Sequence, residues 1–122
     1  MKVLYISQGN IPSRWAHTTQ AMKMSEAFAR LNPDFALATA VYWKDGLFKR
    51  RYDYEGHYGI RDRFRIIRLP IRKTFSKEDV HSSVFADAAV RHARRTKPDV
   101  VYTRSIYAGP GCVRAGLPTM ME

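Results

Sequence analysis

The stretch KVLYI, Lys2 to Ile6, is an unbroken apolar run, and it gives way at once to the mixed stretch SQGNIPSRWAHTTQ, Ser7 to Gln20. A continuous run, rather than an alternating one, suits a parallel strand covered on both faces. Beyond it Ala21, Met22, Met24, Ala27, Phe28 and Leu31 recur at helical spacing, while Gln20, Lys23, Glu26 and Arg30 mark the opposite, wetter face. LNPD then stops the helix, because Pro33 disfavours helical geometry at Asn32. Strand, connector and helix in this order are the first unit of an α/β sheet. Connectors of this kind usually take about two to six residues, and longer ones tend to carry function. Ser7 to Gln20 is therefore predicted to form one wall of a ligand site.

The pattern continues down the chain. FALATAVYW, Phe35 to Trp43, reads as a second strand, and FRIIRLP, Phe64 to Pro70, as a third that Pro70 ends. Residues 44–63 between them hold three glycines and no sustained period, and read as an irregular insertion. Ser76 followed by Asp79 resembles a capping box that opens a second helix. Its apolar stripe is Val80, Val84, Phe85, Ala88, Ala89 and Ala93; Arg91, His92, Arg94, Arg95 and Lys97 crowd its C-terminal end, where cations complement the helix dipole, and Pro98 closes it. DVVYTR, Asp99 to Arg104, is a fourth strand. SIYAGPGCVRAG is a short helix weakened by Gly109 and Gly111, with Gly116 as its C-terminal cap, and LPTMME begins a fifth strand. Helices alternating with apolar strands predict an α/β fold: a Rossmann-like open parallel sheet of about five strands with flanking helices, in one domain over residues 1–122.

Composition sets the outer bounds. A chain of 122 residues and 14.1 kDa, 45% hydrophobic, is enough for one core. The single cysteine, Cys112, excludes an internal disulfide and a multi-cysteine zinc site. Lys2 followed by VLYIS is too short for the apolar region of a signal peptide, and no apolar run approaches the ~20 residues of a membrane span, so a cytoplasmic chain is expected. The net charge of +10 and the pI of about 10.1 favour anionic partners.

Several chemistries lack their residues. Gly9 stands alone after the first strand, with neither a G-x-G-x-x-G fingerprint nor a phosphate-binding loop. His17, His57, His81 and His92 lie far apart, and no nucleophile elbow is present. Asp53 and Glu55 in DYE suit a solvated acidic pair beside KRR better than a metal site. In open α/β sheets ligands bind beyond the C-terminal strand ends, where the strand order reverses. A strand order of 3-2-1-4-5 would set the opening loop against TRS, Thr103 to Ser105, across one cleft. Gly9 would permit close backbone approach, Arg14, His17 and Gln20 would bring donors near a helix N-terminus, and Arg104 and Ser105 would face them.

MKVLYISQGNIPSRWAHTTQAMKMSEAFARL, with PDVVYTRS and GLPTMME, resembles the N-terminal domain of GT-B-fold glycosyltransferases of the family 4 (group 1) type. The likeness covers most of the chain outside residues 44–63, and its most specific part is the pattern IPS, AH and Q-x-MKM-x-EAFA. It implies half of a GT-B fold, with transfer of a sugar from a nucleotide-sugar donor to an acceptor without a metal ion or other cofactor. It also implies that this domain serves the acceptor side, and that a C-terminal donor-binding domain grips the nucleotide sugar. By the same resemblance Gly9, Arg14, His17 and Gln20 line the cleft under the donor phosphates and orient the acceptor hydroxyl, and Arg104 adds positive potential against the leaving diphosphate.

Two further expectations concern partners. Lys49, Arg50, Arg51, Arg61, Arg63, Arg65, Arg68, Arg72 and Lys73 form a basic stretch suited to an anionic surface. No helix-turn-helix or RNP-like motif accompanies it, which favours the inner face of a membrane over nucleic acid. LPTMME begins a strand with no helix after it, so the chain is expected to be a fragment whose sheet edge pairs with a second copy or with the rest of a longer protein.

Overall fold

A computed structural model describes residues 1–10, 16–42, 64–71 and 78–122. The expected insertion at 44–63, Ser76 of the capping box, Arg14 and most of the basic stretch lie outside the described residues. The elements are β1 (Val3–Asn10), α1 (Ala16–Leu31), β2 (Ala36–Tyr42), β3 (Arg65–Ile71), α2 (Glu78–Thr96), β4 (Val100–Thr103), α3 (Ala108–Arg114) and β5 (Thr119–Met121). The five strands form one sheet in the order β3-β2-β1-β4-β5, and every pairing is parallel. The strand order runs outward from β1 in both directions, so β1 and β4 flank the point where it reverses.

The continuous apolar strands are explained by two cores, one on each face. Val3, Tyr5, Phe35, Leu37 and Tyr102 pack with Ala21 and Met22 of α1. Their alternating neighbours Leu4, Ile6, Ala36, Ala38, Ala40 and Val101 pack with Phe85, Ala86, Ala89 and Ala93 of α2 and with Ala108 and Cys112 of α3. Three alanines of β2 meet three of α2, and such small side chains let helix and sheet approach closely. The α1 face is instead filled by rings: Phe28 stacks on Phe35 at 5.8 Å, and Tyr5 meets Tyr102 edge-on at 5.0 Å.

The ends of β1 and β3 differ from the sequence reading. β1 extends to Asn10, so the connector to α1 is far shorter than Ser7 to Gln20. The register against β2 jumps from Ser7↔Thr39 to Asn10↔Ala40, so Gln8 and Gly9 bulge from the ladder. Pro70 lies within β3 rather than ending it, paired with Val41, because β3 is at the sheet edge, where a missing N–H is tolerated. α3 is short and carries both glycines because its neighbours press on it. A Cβ on Gly111 would fall 2.8 Å from Val90 Cγ2 of α2, and one on Gly109 would meet the tip of Met121 of β5.

Both helix ends use left-handed residues. Gly116, at φ +78°, closes α3: its N–H donates to the Val113 carbonyl and that of Leu117 to the Cys112 carbonyl, each at 3.0 Å. After α2 the same task falls to Lys97, at φ +48°, whose N–H donates to the Ala93 carbonyl at 2.9 Å.

Candidate functional site

The C-terminal strand ends beside the reversal point gather polar side chains from three elements. Arg104 follows the last residue of β4, Gln20 lies in the second turn of α1, and Glu122 follows β5. Arg104 Nη1 donates to Gln20 Oε1 at 3.1 Å, and Arg104 Nε lies 3.9 Å from Glu122 Oε2. Tyr102, two residues before Arg104 and on the same strand face, donates its hydroxyl to the Glu122 carboxylate. The side chains of Arg104 and Glu122 are each about half exposed, at 48% and 51%. This ion pair alone therefore contributes little, about 0–1 kcal/mol. Its use is positional: the guanidinium is held from both sides while most of its five N–H donors keep no protein partner among the described residues.

The electrostatics follow from that arrangement. The Glu122 carboxylate accepting its hydrogen bond, together with burial, pushes the Tyr102 phenol up to about 12. Burial raises Tyr5, beneath it in the α1-side core, and Arg104 pulls it back down. Arg104 thus supplies positive charge at these strand ends, answered in part by Glu122, with two neutral phenols behind it. Among the described residues no group of three or more His, Cys, Asp or Glu is placed to hold a metal ion.

The expected site residues fare differently. Gln20 and Arg104 meet directly across the β1–β4 junction. Gly9 lies in the bulged end of β1, and His17 in the first turn of α1, its side chain outside the described residues. Ser105 has another task. It is 6% exposed, and its Oγ accepts from the N–H groups of Ala108 at 3.0 Å and Tyr107 at 3.3 Å, tying down the start of α3. Its own N–H donates to Thr103 Oγ1 at 3.0 Å, and Thr103 Oγ1 donates in turn to the Ile6 carbonyl at 2.9 Å. Thr103, fully buried, thus clasps β4 to β1 at the reversal point. Sequence reading missed Tyr102 and Glu122, and it set Thr103 on the ligand side with the rest of TRS, whereas the structure buries it in the joint to β1. The spacing Tyr102-x-Arg104 at a strand end was the available signal, since residues two apart share a face.

No protein-family model matches the chain, and no curated protein matches it in sequence.

Proposed function

We propose that this chain is the acceptor-side, Rossmann-like half of a metal-independent glycosyltransferase of GT-B type. The reading rests on one observation above all: Arg104 held by Gln20 and Glu122 at the C-terminal strand ends, beside the reversal point of a parallel 3-2-1-4-5 sheet. In this reading Arg104 stabilises the charge growing on the leaving diphosphate as the glycosidic bond to the donor breaks. Gln20 aims the guanidinium, and Gly9 leaves room for the acceptor at the bulge. A second Rossmann-like domain grips the nucleotide, as the resemblance to such transferases implies. NMR titration of the ¹⁵N-labelled chain with uridine and guanosine diphosphates tests the site directly. The expected result is saturable shifts at Gln20, Arg104 and Gly9, weakened at least tenfold by Arg104→Gln. Shifts at millimolar diphosphate that avoid these residues, or that survive the substitution, overturn the reading.

A second reading has its own observation. Arg91 and Arg94 of α2 and Arg114 of α3 line a groove of about 680 Å³, and their guanidinia make no ion pair among the described residues. Ile106, Tyr107 and Val113 stand exposed on the neighbouring segment and on α3. Cations beside exposed apolar side chains suit an anionic membrane surface, each cation contributing about 1 kcal/mol there. Among the described residues no helix is long and apolar enough to cross a bilayer. Sedimentation with acidic and with neutral vesicles separates the cases: binding to both alike, or to neither at low salt, refutes this reading.

A further inference from the structure

At the opposite edge of the sheet, the N-terminal ends of β1, β2 and β3 and the ends of α1 and α2 surround a half-open cavity of about 770 Å³. Val3, Leu4, Phe35 and Ile67 supply apolar wall, and Lys2, Asp34, Arg65 and His92 supply its ionisable groups. His92 belongs to the last turns of α2 and is 8% exposed. Its Nδ1 lies 3.4 Å from Arg95 Nη2. A guanidinium can only donate, so Nδ1 accepts, and the proton of the neutral ring sits on Nε2. That Nε2 is buried with no hydrogen-bond partner among the described residues. A buried donor without an acceptor is costly, and it is the sort of group that a ligand satisfies.

The surroundings state which ligand. Burial first, and then the charges of Arg95, Arg65 and Lys2, hold the His92 pKa below the ordinary value. The Arg65 guanidinium is exposed and makes no ion pair among the described residues. Asp99 is occupied, accepting from the backbone N–H of Lys2 at 2.6 Å. The negative ends of the two helices are answered as well. Lys2 Nζ donates to the Thr96 carbonyl at 2.6 Å, and Asn32 Nδ2 donates to the Phe28 carbonyl at 3.3 Å. Asp34 is the one carboxylate on the wall among the described residues.

We propose that this cavity binds a small organic oxyanion, a carboxylate or phosphate on an apolar body, with the oxyanion accepting the Nε2–H of His92 and facing Arg65. Nε2 is closed to solvent, so docking requires the wall to yield at His92, and the ring becomes the reporter of occupancy. The site lies across the sheet from Arg104 and does not depend on transferase activity.

Histidine-selective ¹H–¹⁵N NMR of the chain tests this, with benzoate, phenyl phosphate and inorganic phosphate added at constant ionic strength against chloride. The expected result is a saturable shift of His92 Nε2 with benzoate or phenyl phosphate, stronger than with inorganic phosphate, and a rise of the His92 pKa on binding. Benzoate acting alone identifies a carboxylate ligand, and phenyl phosphate acting alone a phosphate one. His92→Phe should abolish the saturable binding, and Arg65→Gln, at an exposed position, should weaken it about tenfold. If His92→Phe does not fold, Arg65→Gln carries the test. Resonances of His92 that move no more than in chloride, or affinity unchanged by Arg65→Gln, overturn the proposal.

Discussion

Alanine at Gly111 sets two opposed effects against each other, and the structure says which prevails. Within a helix, glycine to alanine recovers about 1 kcal/mol of backbone entropy. Here the new Cβ would fall 2.8 Å from Val90 Cγ2, well inside the ~3.5–4.0 Å at which carbon atoms rest. Valine is held near one rotamer in a helix, and Val90 packs against the α2-side core, so its methyl group has no easy exit. Overfilling of this kind costs about 1–3 kcal/mol. Gly111→Ala is therefore expected to destabilise the chain by roughly 1 kcal/mol net. Urea denaturation followed by circular dichroism measures it, and the decisive comparison uses the Val90→Ala background. There the obstructing methyl is gone, so Gly111→Ala should become stabilising, and the two backgrounds should differ by about 1–3 kcal/mol. Equal stabilisation in both backgrounds would show that α3 does not press on α2 as described. Gly109→Ala is the internal control. Its Cβ meets Cε and Sδ of Met121 at 2.5 Å, but these are the tip of a flexible, exposed side chain that can swing aside, so the substitution should be neutral or mildly stabilising.

Glu122→Gln should bring the Tyr102 phenol down from about 12 toward 10, read by ultraviolet absorbance during an alkaline titration. The raised phenol pKa contributes stability that is fully present below pH 10 and lost as pH climbs through about 12, so the variant should lose less stability over that interval. Ser105→Ala removes the acceptor for the first N–H groups of α3 and should cost about 0.5–2 kcal/mol in thermal or urea unfolding, with diphosphate shifts at Arg104 unchanged. His92 is held neutral by burial and by its cationic neighbours, so the folded chain resists its protonation. As pH falls through about 6.5 toward the depressed folded-state value, the unfolded chain takes up the proton first and stability declines. His92→Phe should flatten that slope, and an unchanged slope would assign the acid sensitivity to other groups.

Much of the sheet was legible because parallel strands announce themselves by composition. KVLYI, FALATA and DVVYT are apolar without alternation, and a helix follows the first, precedes the second and stands on both sides of the third, which leaves an open parallel sheet as the economical solution. The cap at Gly116 was legible for a local reason: only glycine adopts φ +78° without strain. Lys97 takes a left-handed φ of +48° as well and gave no signal, since lysine is not a residue that marks such a turn in sequence. The limit of β1 was hidden as well. Ser7 to Asn10 has the polarity of a loop, yet its backbone continues the ladder through a bulge, and burial pattern carries no information about a strand end that leaves the core. Gly109 and Gly111 read as weaknesses of a helix. In three dimensions each is met by a neighbour, Gly109 by the movable tip of Met121 and Gly111 by Val90, which leaves no room for a side chain, a long-range fact that local propensity cannot contain.

The same limit acts on the site, and the tripeptide Thr103-Arg104-Ser105 shows how. Read along the chain it is one polar cluster leaving a strand, and all of it belongs on the ligand side. The pleat divides it. Val101 faces the α2 core and Tyr102 the α1 core, so Thr103 follows the first and Arg104 the second. Thr103 is drawn onto the Ile6 carbonyl and accepts the Ser105 N–H, so its hydroxyl completes the joint between β1 and β4, while the Ser105 hydroxyl turns to the start of α3. Only Arg104 is left to face outward, where α1 brings Gln20 to it. The buried Thr103 hydroxyl and the exposed guanidinium are linked for that reason: the clasp fixes the backbone from which Arg104 projects. Thr103→Val should therefore loosen Arg104 as well as the sheet. The expected sign is weaker diphosphate shifts at Arg104 together with a stability loss of about 1–3 kcal/mol from the groups left unpaired. Lost stability with full diphosphate affinity in the folded fraction would separate the joint from the site.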